Sequence, residues 1–213
     1  MPSANSSLLR LAGAATLALV LVSAPSRAQD ASSAQNYVQT NVQTALGILQ
    51  DTSMSASERR DRIHAFLLSL LDIQRISLFM LGSTNASPAS VAAYSEACRE
   101  FMVANYDSKL GAYAGQTLRI TGAVQHAPGD YVVSAVLIDP RGSANGRTQP
   151  EIDFRVVDEG GRFYIVDASI GGVWLAVAER EDFQGFLGSH NGDVDALAQH
   201  LKDMTAKLDT ASN

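Results

Sequence analysis

The apolar residues of this chain change period at Gly115, and that change limits the folds open to it. Before Gly115 they recur at steps of three and four. One group is Val42, Ala45, Leu46 and Leu49; the next is Ile63, Phe66, Leu67, Leu70 and Leu71. A third runs Val91, Tyr94, Cys98, Phe101, Met102, Tyr106, Leu110 and Tyr113. Such spacing gathers side chains on one face of a helix. After Gly115 the step is two: Leu118, Ile120 and Ala123, then the run Tyr131 to Ile138, then Ile152, Phe154 and Val156, then Phe163 to Ile170. Turn-forming stretches separate these runs: Pro128-Gly129-Asp130, a Gly/Asn/Pro loop from Asp139 to Pro150, and Glu159-Gly160-Gly161. Strands joined by short turns pair antiparallel. Asp153 and Arg155 alternate with the apolar residues around them, which gives the sheet one wet face. A helical pattern returns after Gly171-Gly172. The pattern predicts an α+β fold: a four-stranded antiparallel sheet packed against several helices. No repeat, charge block or linker divides the chain, so residues 29–213 are expected to form one domain.

Helix ends are written in the sequence too. Gln29 to about Val38 is polar and Ser-rich and reads as a loose start. Ser55-Ala-Ser-Glu58 is a capping box, in which the Ser oxygen accepts from a free amide and the Glu reaches back. Asp72 to Ile76 interrupts the second helix, and a short apolar helix then stops at Gly82. Ser87-Pro88, a cap residue followed by Pro in the first turn, opens what reads as the longest helix. Asp193 is placed to cap the last one.

Residues 1–28 read as a secretory signal: Arg10, an apolar run of 14 residues from Leu11 to Ala24, then Ser26-Arg27-Ala28 with small residues at −3 and −1. The run is short of the roughly 20 residues a membrane-spanning helix needs. An uncleaved anchor is the weaker reading. Cleavage near Ala28 takes Arg10 and Arg27 from the 16 Lys and Arg, leaving 14 against 22 acids and a net charge of −8. An acidic domain lacks the cationic surface that nucleic acid demands, and it should not adhere to anionic membrane without a basic patch. The lone Cys98, within a helical apolar stripe, reads as a buried hydrophobe that has no disulfide partner in the chain.

Residues that carry chemistry are sparse. The four His residues are scattered at 64, 126, 190 and 200, with no zinc-ligand spacing. Neither a nucleophile elbow nor a phosphate-cradling Gly loop is present. Asp72 and Arg75 lie in apolar sequence, where they suit a helix end or, less well, a catalytic acid with its partner. Asp167, inside the fourth strand, requires hydrogen-bonding partners. The inner strand positions Val133, Ala135, Leu137, Ile152, Phe154 and Val156 offer no acid, base or nucleophile. No metal or cofactor is expected.

Four blocks in order resemble the MlaC-like periplasmic lipid-binding family, also called the toluene-tolerance family. They are Leu71-Asp72-Ile73-Gln74-Arg75 through Leu81-Gly82; the ring-rich helix with Tyr94, Phe101, Tyr106, Leu110 and Tyr113; Phe163-Tyr164-x-x-Asp167 with Gly171-Gly172-Val173-Trp174; and Arg180 with Phe183. Two departures stand out: Gly171 where the family has Glu, and Trp174 where it has Ser. The resemblance implies a sheet and helices enclosing an apolar cavity. It implies a non-enzymatic, monomeric shuttle that carries phospholipid between inner- and outer-membrane complexes. The resemblance extends to the family's hopanoid-associated branch, which implies a rigid polycyclic lipid as the alternative ligand. The lining expected on this basis is Phe79, Phe101, Tyr106, Leu110, Tyr113, Val133, Ala135, Leu137, Phe154, Val156, Val173, Leu175 and Phe183. Two other readings compete: a small α+β hydrolase or dehydratase using Asp72, Arg75 or Asp167, and a structural module with no cavity.

Overall fold

The structure is a computed structural model that describes residues 27–110, 115–140 and 150–211. Most of the expected signal segment lies outside the described residues. Helix α1 spans Arg27–Gln50, so the polar stretch read as a loose start is helical. Its small apolar residues explain this: Ala34 and Val38 are 0 % and 1 % exposed against the sheet, and that packing outweighs modest helix propensity. At 24 residues α1 is one longer than α4 (Pro88–Leu110), the helix expected to be longest.

Helix α2 (Ala56–Leu70) starts on the expected box: the Ser55 hydroxyl accepts from the Glu58 amide, and the Glu58 carboxylate accepts from the Ser55 amide. Asp72 caps α3 (Ile73–Leu81) by accepting from the Arg75 amide at 2.9 Å. Its carboxylate also pairs with the Arg75 guanidinium at 3.1 Å, and Arg75 reaches on to Glu159. Helices α5 (Leu175–Ser189) and α6 (Val194–Ala211) follow the sheet, with Asp193 accepting from the Ala196 amide at the start of α6.

The sheet has five strands, not the four expected: β1 (Thr117–Ala127), β2 (Asp130–Ile138), β3 (Glu151–Glu159), β4 (Arg162–Ile170) and β5 (Val173–Trp174), ordered β1-β2-β3-β4-β5 and antiparallel throughout. The fifth strand arises at Gly171-Gly172, whose positive φ values of 59° and 85° turn the chain back on itself. Val173 and Trp174 then pair with Ile170 and Ser169. Two residues are too few to show period-two patterning, so the segment reads as a turn in sequence. The face opposite Phe154 and Val156 is polar as expected: Asp153 accepts from Ser134 and from the fully buried Ser169, and the exposed Arg155 pairs with Asp130 at 2.8 Å.

Two cores result. One lies among α3, α4, α5 and α6 and holds Tyr94, Phe101, Phe183, Leu197 and Leu201. The other lies between the sheet's inner face and α1 and α2, and holds Val38, Tyr131, Val133 and Val156. Cys98 is fully buried in the first, and burial pushes its thiol pKa up to about 11.

Candidate functional site

Helix α1 crosses the inner face of the sheet, and its apolar stripe meets that face closely at one end only. At the other end Leu46 and Leu49 of α1, Leu67 and Leu70 of α2, and the paired Leu118 and Leu137 of β1 and β2 stand around a cleft of about 230 Å³. Phe154 and Ile165 close its inner side. Among the described residues the polar members of the lining are Asn41, Gln116 and Thr117, and none of these is charged. A surface of this kind sheds water from apolar matter and does little else.

A second, smaller hollow of about 80 Å³ lies across β4, bounded by Ile76 and Met80 of α3, Phe101 and Met102 of α4, and Leu175 of α5. Ile165 lines both spaces, and the consecutive residues Leu70 and Leu71 divide between them, Leu70 to the larger and Leu71 to the smaller. Leu71 forms an isolated parallel bridge with Ile165, and the Asp72 amide donates to the Ile165 carbonyl at 3.3 Å. A seam between the end of α2 and the middle of β4 therefore separates the clefts.

A bulge sets the seam's phase. Arg155 pairs with Asp167 but its neighbour Val156 pairs with Ile165, leaving Val166 as the extra residue. Ile165 and Ala168, three apart, thereby share the sheet face of Val156 and Phe154. Regular alternation would not place them together.

The smaller hollow also contains Asn105, Asp167 and Glu179. Asp167 Oδ1 accepts from the Ala168 amide at 2.8 Å and from the Ala176 amide at 2.9 Å, so it holds the first turn of α5. Burial raises its pKa, against the lowering effect of these amides and of Arg155. Asp72 and Arg75 likewise serve a helix end and a tie to the β3–β4 turn. The later motif residues have structural work too. Arg180 lies over the Phe79 ring at 5.1 Å and donates to the Phe79 carbonyl, and Gln184 donates to the Leu81 carbonyl at 2.6 Å. Together they satisfy carbonyls at the end of α3, which an isolated helix leaves open. Gly82, at φ 70°, lets them approach: a Cβ there would lie 3.0 Å from Arg180.

Of the residues expected to line a cavity, the structure brings four to the clefts: Leu137 and Phe154 to the larger, Phe101 and Leu175 to the smaller. Val133, Ala135 and Val156 are completely buried beneath the sheet. Phe183 packs in the helical core, with ring centroids 6.2 Å from Tyr94 and 6.5 Å from Phe101. Phe79 and Val173 are exposed at the surface. Tyr113 and the side chains of Tyr106 and Leu110 lie outside the described residues. Sequence reasoning missed Leu67, Leu70, Leu71 and Ile165, and it read the α1 stripe only as packing. The signal for α1 was present, since its stripe carries Leu46 and Leu49 beyond the span the sheet covers closely.

Among the described residues no group of three or more His, Cys, Asp and Glu is placed to hold a metal ion. Nor is any described helix long and apolar enough to cross a membrane.

Comparison with known proteins places this architecture. No curated protein matches the chain. A phospholipid-binding protein from Ralstonia solanacearum, solved in complex with a phospholipid, has a similar fold, with a TM-score of 0.68 at 22% sequence identity over 82% of this chain and 98% of that one. The sequence pattern of the MlaC protein family matches residues 39–203, from the second turn-pair of α1 to the middle of α6, and the chain belongs to that family.

Proposed function

We propose that the protein is a periplasmic lipid carrier that takes up phospholipid and passes it between inner- and outer-membrane transport complexes, after removal of residues 1–28. The observation that carries this reading is the uncharged cleft between α1, α2 and the sheet, whose walls are almost wholly aliphatic. Membership of the MlaC family supports it, as does the phospholipid held by the structurally similar Ralstonia protein. The energetics are adequate. Each methylene withdrawn from water contributes about 0.8 kcal/mol, so even half of a sixteen-carbon chain gains on the order of 6 kcal/mol before the costs of association. A headgroup left at the mouth needs no dedicated contacts.

The charged residues that an enzyme would recruit are engaged elsewhere. Asp72 caps α3, Arg75 ties α3 to the β3–β4 turn, and Asp167 secures α5. This arrangement favours binding over turnover.

Organic extraction of the exported protein, followed by mass spectrometry, tests the proposal directly. About one phospholipid per chain is expected after gentle purification. A second assay follows transfer of labelled phospholipid from donor to acceptor vesicles, which the protein should accelerate. Lipid-free protein that also fails to move lipid between vesicles would overturn the carrier reading.

A further inference from the structure

Among the described residues six large apolar side chains stand exposed: Leu78, Phe79, Val124, Ile170, Val173 and Val177. Four of them belong to one corner, where β4 turns into β5 and runs on into α5 beside the end of α3. Ile170 and Val173 are direct partners across the Gly171-Gly172 turn and share one face of that hairpin. Val177 follows in the first turn of α5, four residues after Val173. Three residues further along the same flank, Arg180 lies over the Phe79 ring at 5.1 Å. Both departures from the family pattern, Gly171 and Trp174, also fall here, and Gly171 removes a carboxylate from the corner. Apolar surface gathered in this way marks a place that something covers.

We infer that this corner is a bilayer-contact surface, through which the protein rests on a zwitterionic lipid leaflet. Three observations favour that occupant. None of the four side chains lines either cleft or the open groove between α3 and α4, so they offer a peptide or helix nothing to enter. At 40 to 58 % exposure they present roughly 350 Å², under half of the roughly 800 Å² per partner that a stable protein pair buries. The charges complete the argument. Arg180 is a single cation set among a ring and aliphatic side chains, where its guanidinium has lipid phosphates within reach while they enter the acyl boundary. Glu181 and Asp182 follow it, both exposed, in a chain that carries eight more acids than bases once residues 1–28 are removed. That surplus is repelled by an anionic leaflet and indifferent to a neutral one. The surface lies outside both clefts, so the inference goes beyond the carrier reading and does not depend on it.

The test mixes the exported protein with phosphatidylcholine vesicles and floats them through a density gradient. Wild type should rise with the vesicles, and the emission of Trp174, the only tryptophan in the chain, should shift to the blue while they are present. Val177→Glu should lower the vesicle-bound fraction at least about fivefold, because it removes apolar area and adds a charge that contact must desolvate. Val173→Glu should do the same, which covers the case of a Val177→Glu protein that does not fold. Val124→Glu, at the exposed apolar position on β1, should leave binding unchanged. Phosphatidylglycerol added to the vesicles should weaken binding at low salt. Wild type that floats with no vesicle, folded glutamate variants at the corner that float as well as wild type, or tighter binding to phosphatidylglycerol vesicles would overturn the inference. So would a wild-type dimer that Val177→Glu splits, since it gives the corner to a second copy of the chain. The carrier reading is decided separately, by the lipid extracted from the purified protein.

Discussion

Among the described residues the helical core holds fifteen buried apolar residues and the core under the sheet seven, and it is the smaller core that borders the uncharged aliphatic cleft. Among the helices, rings do the filling. Tyr94, Phe101 and Phe183 meet edge-on or tilted, and the Tyr94 hydroxyl donates to the Ser77 carbonyl at 3.0 Å. Under the sheet, Phe163 meets Tyr37 and Tyr131 at 5.6 Å and 6.2 Å at one end, while Phe154 stands among the aliphatic residues at the other. The other end is walled by leucines around the larger cleft. Rings lock elements at fixed separations and close a core. Aliphatic walls on elements that diverge leave a gap that branched side chains do not fill. The stabilising core and the candidate binding surface are thus neighbours with different side-chain chemistry.

The sharpest way to break that contrast is to remove a ring from the filled core. Phe183→Ala should destabilise the protein by about 3–5 kcal/mol, the range for a buried Phe truncated with its neighbours held in place. Urea denaturation of delipidated protein measures it. Lipid per folded chain should be unchanged, and a fall in that ratio would make Phe183 part of the binding surface. The converse change fills the hollow. Leu67→Trp should lower bound phospholipid by at least about tenfold while altering delipidated stability by no more than about 1–3 kcal/mol, the usual scale of overpacking strain. Retained lipid at wild-type level would remove the larger cleft from the proposal. A smaller effect separates local helix energetics from both cores. Ser55→Ala deletes the capping box and should cost about 1 kcal/mol with no change in lipid content, read by the same denaturation and extraction measurements.

How much of this was legible in the sequence depended on how many residues each feature spans. The period change at Gly115 extends over dozens of positions, and it correctly separated the helices from the meander. Local hydrogen-bonding signals were equally readable: Ser55 with Glu58, Asp72 and Asp193 all cap the helices they precede. The two-residue strand Val173–Trp174 escaped because alternation needs more length than it has. Helix α1 began early because Ala34 and Val38 bury against the sheet, a tertiary fact that local polarity masks. The site was the least legible. Apolar lining and apolar core have the same sequence signature, so Val133 and Phe154 looked alike, although one is sealed in and the other faces the cleft. Ile165 shares the inner face with Phe163 by ordinary alternation, but the bulge at Val166 brings Ala168 to that face as well, which a regular period-two reading cannot contain.

Asp167 provides the finest test, because it sits at the border of the two regions and its charge is set against its surroundings. Desolvation raises its pKa above that of the unfolded chain even though backbone amides and Arg155 favour the carboxylate. The folded state therefore holds its proton to higher pH than the unfolded state does. By linkage, the contribution of this group is fully present below the unfolded carboxyl pKa and is lost as pH rises through the folded one, leaving a residual cost at neutral pH. Asp167→Asn keeps an oxygen able to accept from the Ala176 amide but carries no charge to desolvate. Stability of the variant at pH 7 should match or slightly exceed wild type, and the wild-type decline across the acidic carboxylate range should flatten. Because Asp167 is only half-buried, solvent screening keeps the difference small. Denaturation midpoints measured at several pH values for both proteins decide it. A variant clearly weaker than wild type at pH 7 would mean that charge-assisted capping of α5 outweighs the burial of the carboxylate beside the smaller cleft.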